Sequence, residues 1–379
     1  MEVKTSTEKK EKGINGALYY WKRIGKEISP VWFSCVMGTG ILALSMKLSP
    51  VELSMSHTLG IVSLLDLLAS VLWMSSVLLF ILLILLWAVQ WIYHPQQLQS
   101  SLNNFMQAQT WGAPPMACFT LASGFVIIGP ELFGFSLCLF FAQALWLIGI
   151  IASLFSAVFI PYLMFTRHTL TTDATYGNWL LPVAPLIGAA VPAALLIPHL
   201  PTSLRTEILV LSYILWGSGI VLAAMITILF YARLAYFKVP QGEMVPTLWL
   251  ILGPPGQSIT AIFALGEAAS VHWETVGKTL HIAGLMFSLP IWGFGMYWFI
   301  LALLMTLRAS RTHLPFSLGW WAFIYPLGVL TTGTYALRMH TQLYLFEICG
   351  MLLLCLLTVL WILVTTRTLR CLYPLFKSS

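Results

Sequence analysis

Ten apolar stretches of about twenty residues follow one another along this chain, and they constrain its fold more than any other feature. A helix needs roughly 20 apolar residues to cross the hydrocarbon core of a bilayer. Only 8% of the 379 residues are charged, whereas about a quarter of a soluble domain is. The sequence therefore predicts an all-α membrane protein with ten transmembrane helices, near residues 31–49, 65–93, 111–129, 135–160, 178–198, 206–236, 246–266, 279–307, 317–337 and 343–366.

The Lys and Arg residues lie mostly on one side of this predicted bundle. Fifteen of the nineteen fall in the first 29 residues, in or beside alternate connections, or after the last span. Because cytoplasmic loops carry the excess of Lys and Arg, both termini are predicted to be cytoplasmic, in the inner membrane of a cell. The expected organisation is a polar tail over 1–29, a membrane domain over 30–370 and a second cytoplasmic tail over 371–379. No basic stripe with interleaved aromatics suggests nucleic acid as a partner, so membrane lipids are the expected partner of the basic residues.

Helix-breaking residues recur at a fixed period in the odd-numbered spans. Four prolines stand 70, 70 and 71 residues apart, namely Pro115, Pro185, Pro255 and Pro326. One repeat period before Pro115, the corresponding position falls near Gly38 and Gly40. A tryptophan precedes each of the five breaks by four to six residues. A fixed period indicates an internal repeat. A repeat of two spans predicts five helical hairpins in a quasi-five-fold arrangement around an axis along the membrane normal.

The broken helices are predicted to surround a central pore. Proline frees a backbone carbonyl, which is tolerated inside a bilayer only where it faces protein or a water-filled path. The alternative is that Gly and Pro merely let helices pack closely. The residues predicted to line the pore are Met37, Gly38, Thr39, Gly40, Pro115, Phe119, Ser123, Gly124, Pro185, Gly188, Pro255, Gly256, Gln257, Ser258, Pro326, Gly328, Thr331 and Thr332. Five of these, Gly38, Gly124, Gly188, Gly256 and Gly328, are expected to keep the path wide.

The predicted lining contains no Asp, Glu, Lys, Arg or His. Proton relays and cation channels usually carry such groups, whereas neutral hydroxyl and backbone N–H donors favour anions weakly. At the outer ends, Glu347 is expected to pair with Arg338, and Asp66 and Glu267 are expected to be solvated. Three basic residues are expected to form a weakly positive mouth, namely Arg205, Lys278 and Arg338. The six cysteines show no metal-ligand spacing and there is no P-loop, so neither a metal nor a cofactor is predicted.

Three segments, WFSCVMGTGILA, LILGPPGQS and GWWAFIYPLGVLTTG, resemble the signature segments of the tellurite-resistance/dicarboxylate transporter family. That family includes plant slow anion channels, malate permeases and sulfite exporters, and the resemblance extends from about residue 28 to 370. It implies five hairpins around a central anion path, frequently in a homotrimer. It also implies a pore-occluding phenylalanine just before the proline of the ninth span. The matching residue here is Tyr325, so the expected gate is Tyr325, with neighbouring Phe323 as the alternative.

The predicted function is transmembrane transport of small anions, with C4-dicarboxylates such as malate as the favoured substrate and an aromatic residue as the gate. A channel or exporter for inorganic anions such as sulfite, tellurite, chloride or nitrate is the alternative. A neutral lining does not decide between these two functions. An integral membrane enzyme is a third alternative, but it needs a catalytic cluster at one membrane face, and the sequence shows none.

Overall fold

A computed structural model of the chain describes residues 28–49, 59–270, 273–312 and 314–377. These residues are almost entirely helical and form no strand, which confirms the predicted all-α class. The α-helices within them are α1 Phe33–Lys47, α2 Leu59–Tyr93, α3 Pro95–Asn103, α4 Phe105–Ala108, α5 Ala113–Ile127, α6 Pro130–Phe133, α7 Phe135–Arg167, α8 Ala184–Gly188, α9 Ala190–Leu196, α10 Thr202–Phe237, α11 Gly253–Ser270, α12 Glu274–Ser310, α13 Ile324–Thr341 and α14 Tyr344–Lys377. Residues 1–27 of the predicted N-terminal tail lie outside the described residues, and α14 continues into the predicted C-terminal tail.

Among the described residues, seven helical segments are long and apolar enough to cross a membrane. Five of them belong to α2, α7, α10, α12 and α14, and only 22–33% of their most apolar stretch is buried. The other two contain α1 and α11, and there the buried share is 83% and 89%. The predicted spans 111–129, 178–198 and 317–337 coincide with α5, α8–α9 and α13. These helices are too short or too low in mean hydropathy to count among the seven. Long helices with exposed apolar side chains therefore alternate with shorter buried ones, and we call these the outer and inner helices.

Each inner helix is preceded by a short 3₁₀ helix that contains the predicted tryptophan. The five segments are Pro30–Trp32, Gln109–Gly112, Gly177–Leu180, Gly242–Leu252 and Leu318–Phe323. The four periodic prolines are the second or third residues of α5, α8, α11 and α13. Proline is tolerated in the first turn of an α-helix because the backbone N–H that it lacks has no partner there. The prolines therefore mark where 3₁₀ geometry changes to α geometry.

The first repeat differs from the prediction. Gly38 and Gly40 were expected to break the first span, but α1 runs through both without interruption. A β-carbon on Gly38 would lie 2.7 Å from Cε3 of Trp321, and one on Gly40 would lie 2.8 Å from Cγ2 of Thr120. Both glycines therefore serve close packing, the alternative that the sequence left open.

The inner helices contact one another in a closed cycle. In order, α1 packs against α5, α5 against α8 and α9, these against α11, α11 against α13, and α13 against α1. Each inner helix also packs against the outer helix that follows it in the chain. A glycine stands at a close approach between each pair of neighbouring inner segments. Gly40, Gly256 and Gly328 lie in inner helices, whereas Gly112 and Gly177 lie in the 3₁₀ segments that precede α5 and α8. At Gly256, a β-carbon would collide with the backbone of Val329 and Leu330, so only glycine fits that contact without a shift.

Side chains of the outer helices satisfy backbone carbonyls near the inner-helix breaks. The indole Nε1 of Trp146 donates to the carbonyl of Ala189 at 3.0 Å, between α8 and α9. Ser156 Oγ donates to the carbonyl of Pro182 at 2.9 Å. In the same way, Trp298 Nε1 donates to a 3₁₀ carbonyl, that of Leu248, at 2.8 Å. Since an unpaired carbonyl in lipid costs several kcal/mol, these bonds let irregular backbone exist at this depth without water.

We predict that Gly256→Ala lowers the thermal stability of the purified protein, because overpacking against backbone costs about 1–3 kcal/mol or more. The matched control is Gly293→Ala in the outer helix α12, where a β-carbon would meet no atom within 4 Å. Alanine has the higher helix propensity, so the control should melt at or above the wild-type temperature. Thermal melting in detergent measures both variants. Equal melting temperatures for the two would contradict the role given to Gly256.

Candidate functional site

Three cavities lie between the inner helices. The upper cavity has a volume of about 50 Å³. Every contact partner in the cycle of inner helices contributes to its lining, for example through Ile41 of α1, Phe119 of α5, Gly188 of α8, Gln257 of α11 and Thr332 of α13. This volume exceeds the ~10–15 Å³ that one water molecule requires. The upper cavity lies toward the carboxyl ends of the inner helices.

The middle cavity lies on the 3₁₀ side of the upper one. Its volume is about 20 Å³, and Met37, Met116, Ala184, Gln257 and Tyr325 are among its lining residues. Gln257 and Tyr325 also line the upper cavity, so these two side chains separate the two spaces.

The vestibule is the third and largest cavity, with a volume of about 310 Å³. It is formed by the 3₁₀ segments and the start of α1, and Ser34, Thr110, Asn178, Thr247 and Ser317 contribute polar groups to it. It shares Met37, Leu181 and Leu250 with the middle cavity. The three cavities therefore follow one another along the inside of the inner-helix cycle.

A cluster of three side chains closes the boundary between the upper and middle cavities. Gln257 Nε2 donates to Tyr325 Oη at 3.0 Å and approaches Met116 Sδ at 3.1 Å. Tyr325 Oη in turn donates to Met116 Sδ at 3.0 Å. All three residues are at most 8% exposed. We call this cluster the constriction.

The repeat period explains why these three side chains meet. Met116 follows Pro115, Gln257 lies two residues after Pro255, and Tyr325 immediately precedes Pro326. Each side chain therefore projects from one of the first five residues of its helix, at a similar depth in the bundle. Sequence reasoning named Gln257 and Tyr325 but missed Met116, although its place beside a periodic proline was the signal that identifies it.

One acceptor in the constriction has no partner. The Gln257 Oε1 atom is buried, and no donor among the described residues reaches it. A buried unpaired amide oxygen is costly. The amide group is therefore the part of the constriction whose hydrogen bonding is least satisfied.

The structure brings seven of the predicted pore-lining residues and the predicted gate, Tyr325, to the central cavities and places the other predicted lining residues elsewhere. The seven are Met37, Phe119, Ser123, Gly188, Gln257, Pro326 and Thr332. Pro255 and Ser258 instead line an apolar crevice between α10, α11 and α12. Thr39 accepts a hydrogen bond from Trp361 on the outer helix α14 at 3.0 Å, and Thr331 donates to the Leu327 carbonyl within α13.

Four of the five glycines expected to widen the path face neighbouring side chains or backbone instead. A β-carbon on Gly38 would meet Trp321, one on Gly124 would meet Trp73, and those on Gly256 and Gly328 would meet the helices beside them. Of the remaining predicted residues, Gly40, Pro115 and Pro185 do not line the central cavities. These positions serve helix packing and helix initiation, and only Gly188 of the five glycines faces the constriction.

Phe323, the alternative gate, packs away from the cavities. Its ring makes edge contacts with Trp249 and Trp320 at centroid distances of 5.4 and 5.8 Å. It is 4% exposed and does not line the upper or middle cavity. Tyr325 is thus the aromatic side chain that lies between the cavities.

Ion pairs at the end of the bundle opposite the vestibule neutralise several of its charges. Arg338 Nε lies 2.8 Å from Glu347 Oε2, which confirms the expected pair. Asp66 was expected to be simply solvated, but its carboxylate lies 3.1 Å from Lys47 Nζ, which also contacts Glu131 at 3.0 Å.

The expected positive mouth is not assembled from the three basic residues proposed for it. The Arg338 guanidinium is paired with Glu347. Arg205 donates to the carbonyls of Leu200 and Pro198 at 2.8 and 3.0 Å. Lys278 lines a separate pocket between α11 and α12, together with Glu267. None of the three basic residues lines the central cavities.

Among the described residues, no three His, Cys, Asp or Glu side chains are grouped closely enough to hold a metal ion. The cysteines are free thiols, and Cys35, Cys118 and Cys138 are buried. The chemistry of the upper and middle cavities therefore rests on hydroxyl, amide, thioether and backbone groups, and Glu243 adds a carboxylate to the vestibule.

Comparison with known proteins identifies the family of this chain. The profile of the family described as voltage-dependent anion channel matches residues 27–369. The chain belongs to this family. The match covers nearly the whole chain, and it confirms the resemblance drawn from the three sequence segments.

Named relatives of the chain are transporters. The sulfite efflux pump of Arthroderma benhamiae is 28% identical, over 92% of this chain and 92% of its own length. A protein of Methanocaldococcus jannaschii described as an uncharacterized transporter is 28% identical, over 93% of this chain and 98% of its own. The malic acid transport protein of Schizosaccharomyces pombe is 21% identical, over 89% and 77% respectively.

We predict that Gly188→Ala reduces anion flux through the family member described here while leaving its fold intact. The added β-carbon would lie 2.8 Å from Met116 Sδ and 3.3 Å from Gln257 Nε2, so it presses on the constriction. Methionine is flexible enough to yield, so the thermal stability should change little.

The matched control is Gly217→Ala in the outer helix α10, where a β-carbon would meet no atom within 4 Å. Flux into liposomes and melting in detergent are measured for both variants. A Gly188→Ala protein with wild-type stability and wild-type flux would show that the upper cavity is not on the transport path.

Proposed function

We propose that this protein carries small anions across a membrane, along a path that runs through the three cavities and is closed by the constriction. One observation carries the proposal: three cavities follow one another inside a closed cycle of buried helices, separated by three side chains. Membership of the voltage-dependent anion channel family supports the same function.

In this proposal the chain crosses the membrane ten times. Five hairpins, each made of an inner helix and the outer helix after it, surround the path in quasi-five-fold order. The helix contacts and the alternation of buried and exposed helices support this arrangement. The distribution of Lys and Arg supports a cytoplasmic position for both termini and the vestibule, because the 3₁₀ segments lie on the same side as the N-terminal end of α1.

The neutral character of the path suits conduction of anions. Hydroxyl and amide N–H groups can replace part of the hydration shell of an anion, and weak binding lets the ion leave again. Ser123, Gln257 and Thr332 supply such groups in the upper cavity. The thioether of Met116 and the ring of Tyr325 close the path without a fixed charge, so moving these side chains requires no desolvation of an ion pair.

Sulfite is the first substrate to test. The sulfite efflux pump of Arthroderma benhamiae is more similar to this chain than the malic acid transport protein of Schizosaccharomyces pombe, at 28% against 21% identity. The upper and middle cavities measure about 50 and 20 Å³, so a three-oxygen anion displaces fewer side chains than a four-carbon dicarboxylate. This ranking differs from the preference for malate drawn from the sequence, and malate remains the second candidate because of the similarity to the malic acid transport protein.

The experiment that tests the function is flux into liposomes that contain the purified chain. Labelled sulfite, malate and chloride are compared with and without an imposed proton gradient. We expect sulfite and chloride flux to exceed malate flux. Malate uptake that follows the gradient, with no sulfite flux, would instead make the protein a coupled dicarboxylate carrier. No flux of any of the three anions would contradict the proposal. The homotrimer that the family resemblance implies is tested by the mass of the protein in detergent.

We predict that Tyr325→Ala raises anion flux by about tenfold or more, which corresponds to a barrier lower by roughly 1.4 kcal/mol. Removal of the ring joins the upper and middle cavities, and it also leaves Gln257 Nε2 with Met116 Sδ as its remaining partner. Liposome flux at equal protein density measures the change.

Two further variants show which property of Tyr325 closes the path. Tyr325→Phe keeps the ring but loses both contacts of the hydroxyl, so flux near the wild-type value assigns the closure to steric bulk. Phe323→Ala removes the aromatic that packs away from the cavities, and its flux should not rise. Higher flux in the Phe323→Ala variant than in the Tyr325→Ala variant would show that Phe323, and not Tyr325, is the gate.

A further inference from the structure

The lining of the three cavities contains a single residue with a formal charge at neutral pH in the part of the chain that the structure describes. This residue is Glu243, which lines the vestibule. The other lining residues of the vestibule, the middle cavity and the upper cavity are apolar or neutral. The one fixed charge on a path proposed for anions is therefore negative, opposite to the sign that attracts them.

Nothing among the described residues neutralises this charge. The Glu243 side chain is exposed, and no ion pair or hydrogen bond of its carboxylate with a described residue is present. The carboxylates of Asp66 and Glu347, by contrast, each lie within about 3 Å of a basic side chain. Within the described part of the chain, no basic side chain thus offsets the negative charge of Glu243 at the vestibule.

Glu243 also has a local structural effect that must be separated from any effect on anions. It lies in the first turn of the 3₁₀ segment Gly242–Leu252, where a negative side chain interacts favourably with the helix dipole. That interaction acts on the stability of the segment. It does not depend on the charge of an anion that enters the vestibule, so the two roles predict different measurements.

We propose that Glu243 selects anions by charge at the vestibule, admitting singly charged anions in preference to doubly charged ones. The proposal rests on the transport function above and names its substrate class. Repulsion between a fixed charge and an ion is proportional to the charge of the ion. For a substrate that exists in both forms, as sulfite and malate do, the singly charged form enters and the doubly charged form is held back.

The size of the effect follows from Coulomb's law. A unit charge at ~7 Å, in a medium with a dielectric constant near 80, lowers the local concentration of a monoanion by roughly threefold. For a dianion the factor is the square of this, about ninefold. Screening shortens the range of the interaction from ~8 Å at physiological ionic strength to ~3 Å at 1 M salt. Charge selection should therefore be strong at low salt and nearly absent at high salt.

The test measures flux of two three-oxygen anions into liposomes that contain the full chain at low salt. Nitrate carries one charge, and sulfite in mildly alkaline buffer is mostly doubly charged. We expect Glu243→Gln to raise nitrate flux about threefold and sulfite flux about ninefold, so that the sulfite-to-nitrate ratio rises about threefold. Glu243→Lys should raise this ratio further, and Glu243→Asp should leave it near the wild-type value. At high salt the ratios of all variants should converge.

The matched control is Asp173→Asn, which removes an exposed carboxylate near the same end of the bundle that does not line the vestibule. Its flux ratio should equal that of the wild type. An unchanged ratio in Glu243→Gln, or an equal change for both anions, would overturn charge selection while leaving the transport function intact. If the wild-type protein carries neither anion, the transport function fails and this inference fails with it.

Discussion

Five glycines, one at each contact between neighbouring inner helices or the 3₁₀ segments before them, let the backbones of these segments approach one another closely. Gly112, Gly177 and Gly256 face backbone atoms of the neighbouring segment, where any side chain would collide. The cycle of helices that results is tight enough that three side chains of ordinary size close its centre. If the inner helices lay further apart, larger side chains would be needed to form the constriction. The narrow cavities, the constriction and the alternation of inner and outer helices all follow from this close approach.

Close approach alone does not make the inner helices compatible with a membrane. Each inner segment changes from 3₁₀ to α geometry, in four of the five near a periodic proline, and such irregular backbone exposes polar groups that lipid cannot satisfy. Trp146, Ser156 and Trp298 on the outer helices donate to these carbonyls. The outer helices therefore have two faces with different tasks. Their exposed Leu, Ile, Val and Phe side chains form a surface suited to lipid, and their few polar side chains complete the hydrogen bonding of the inner helices.

The helical class, the alternation of two kinds of helix and most helix positions could be predicted from apolar length and from the 70-residue period. The depth shared by Gln257, Tyr325 and the prolines could be predicted for the same reason. The direction in which each side chain of an inner helix points could not be predicted, because the inner helices are buried on all sides and their sequences show no polar face. Thr39, Ser258 and Gly124 were therefore assigned to the path, although they face outer helices, an apolar crevice and Trp73. Met116 and Glu243 were missed. Met116 is apolar and was marked only by its place beside the periodic Pro115, and Glu243 lies outside the predicted apolar spans.

The central claim is that anions pass between the inner helices and through the upper cavity. The most direct test places a thiol in that cavity and modifies it with a charged, water-soluble thiol reagent while flux is measured. The background replaces the exposed Cys355 and Cys371 by serine. The test variant is Thr332→Cys, because Thr332 lines the upper cavity, and the control is Val221→Cys on the exposed face of α10. We expect modification to abolish flux in the Thr332→Cys protein and to leave it unchanged in the Val221→Cys protein. Full flux through a Thr332→Cys protein shown by mass spectrometry to be modified would contradict the account.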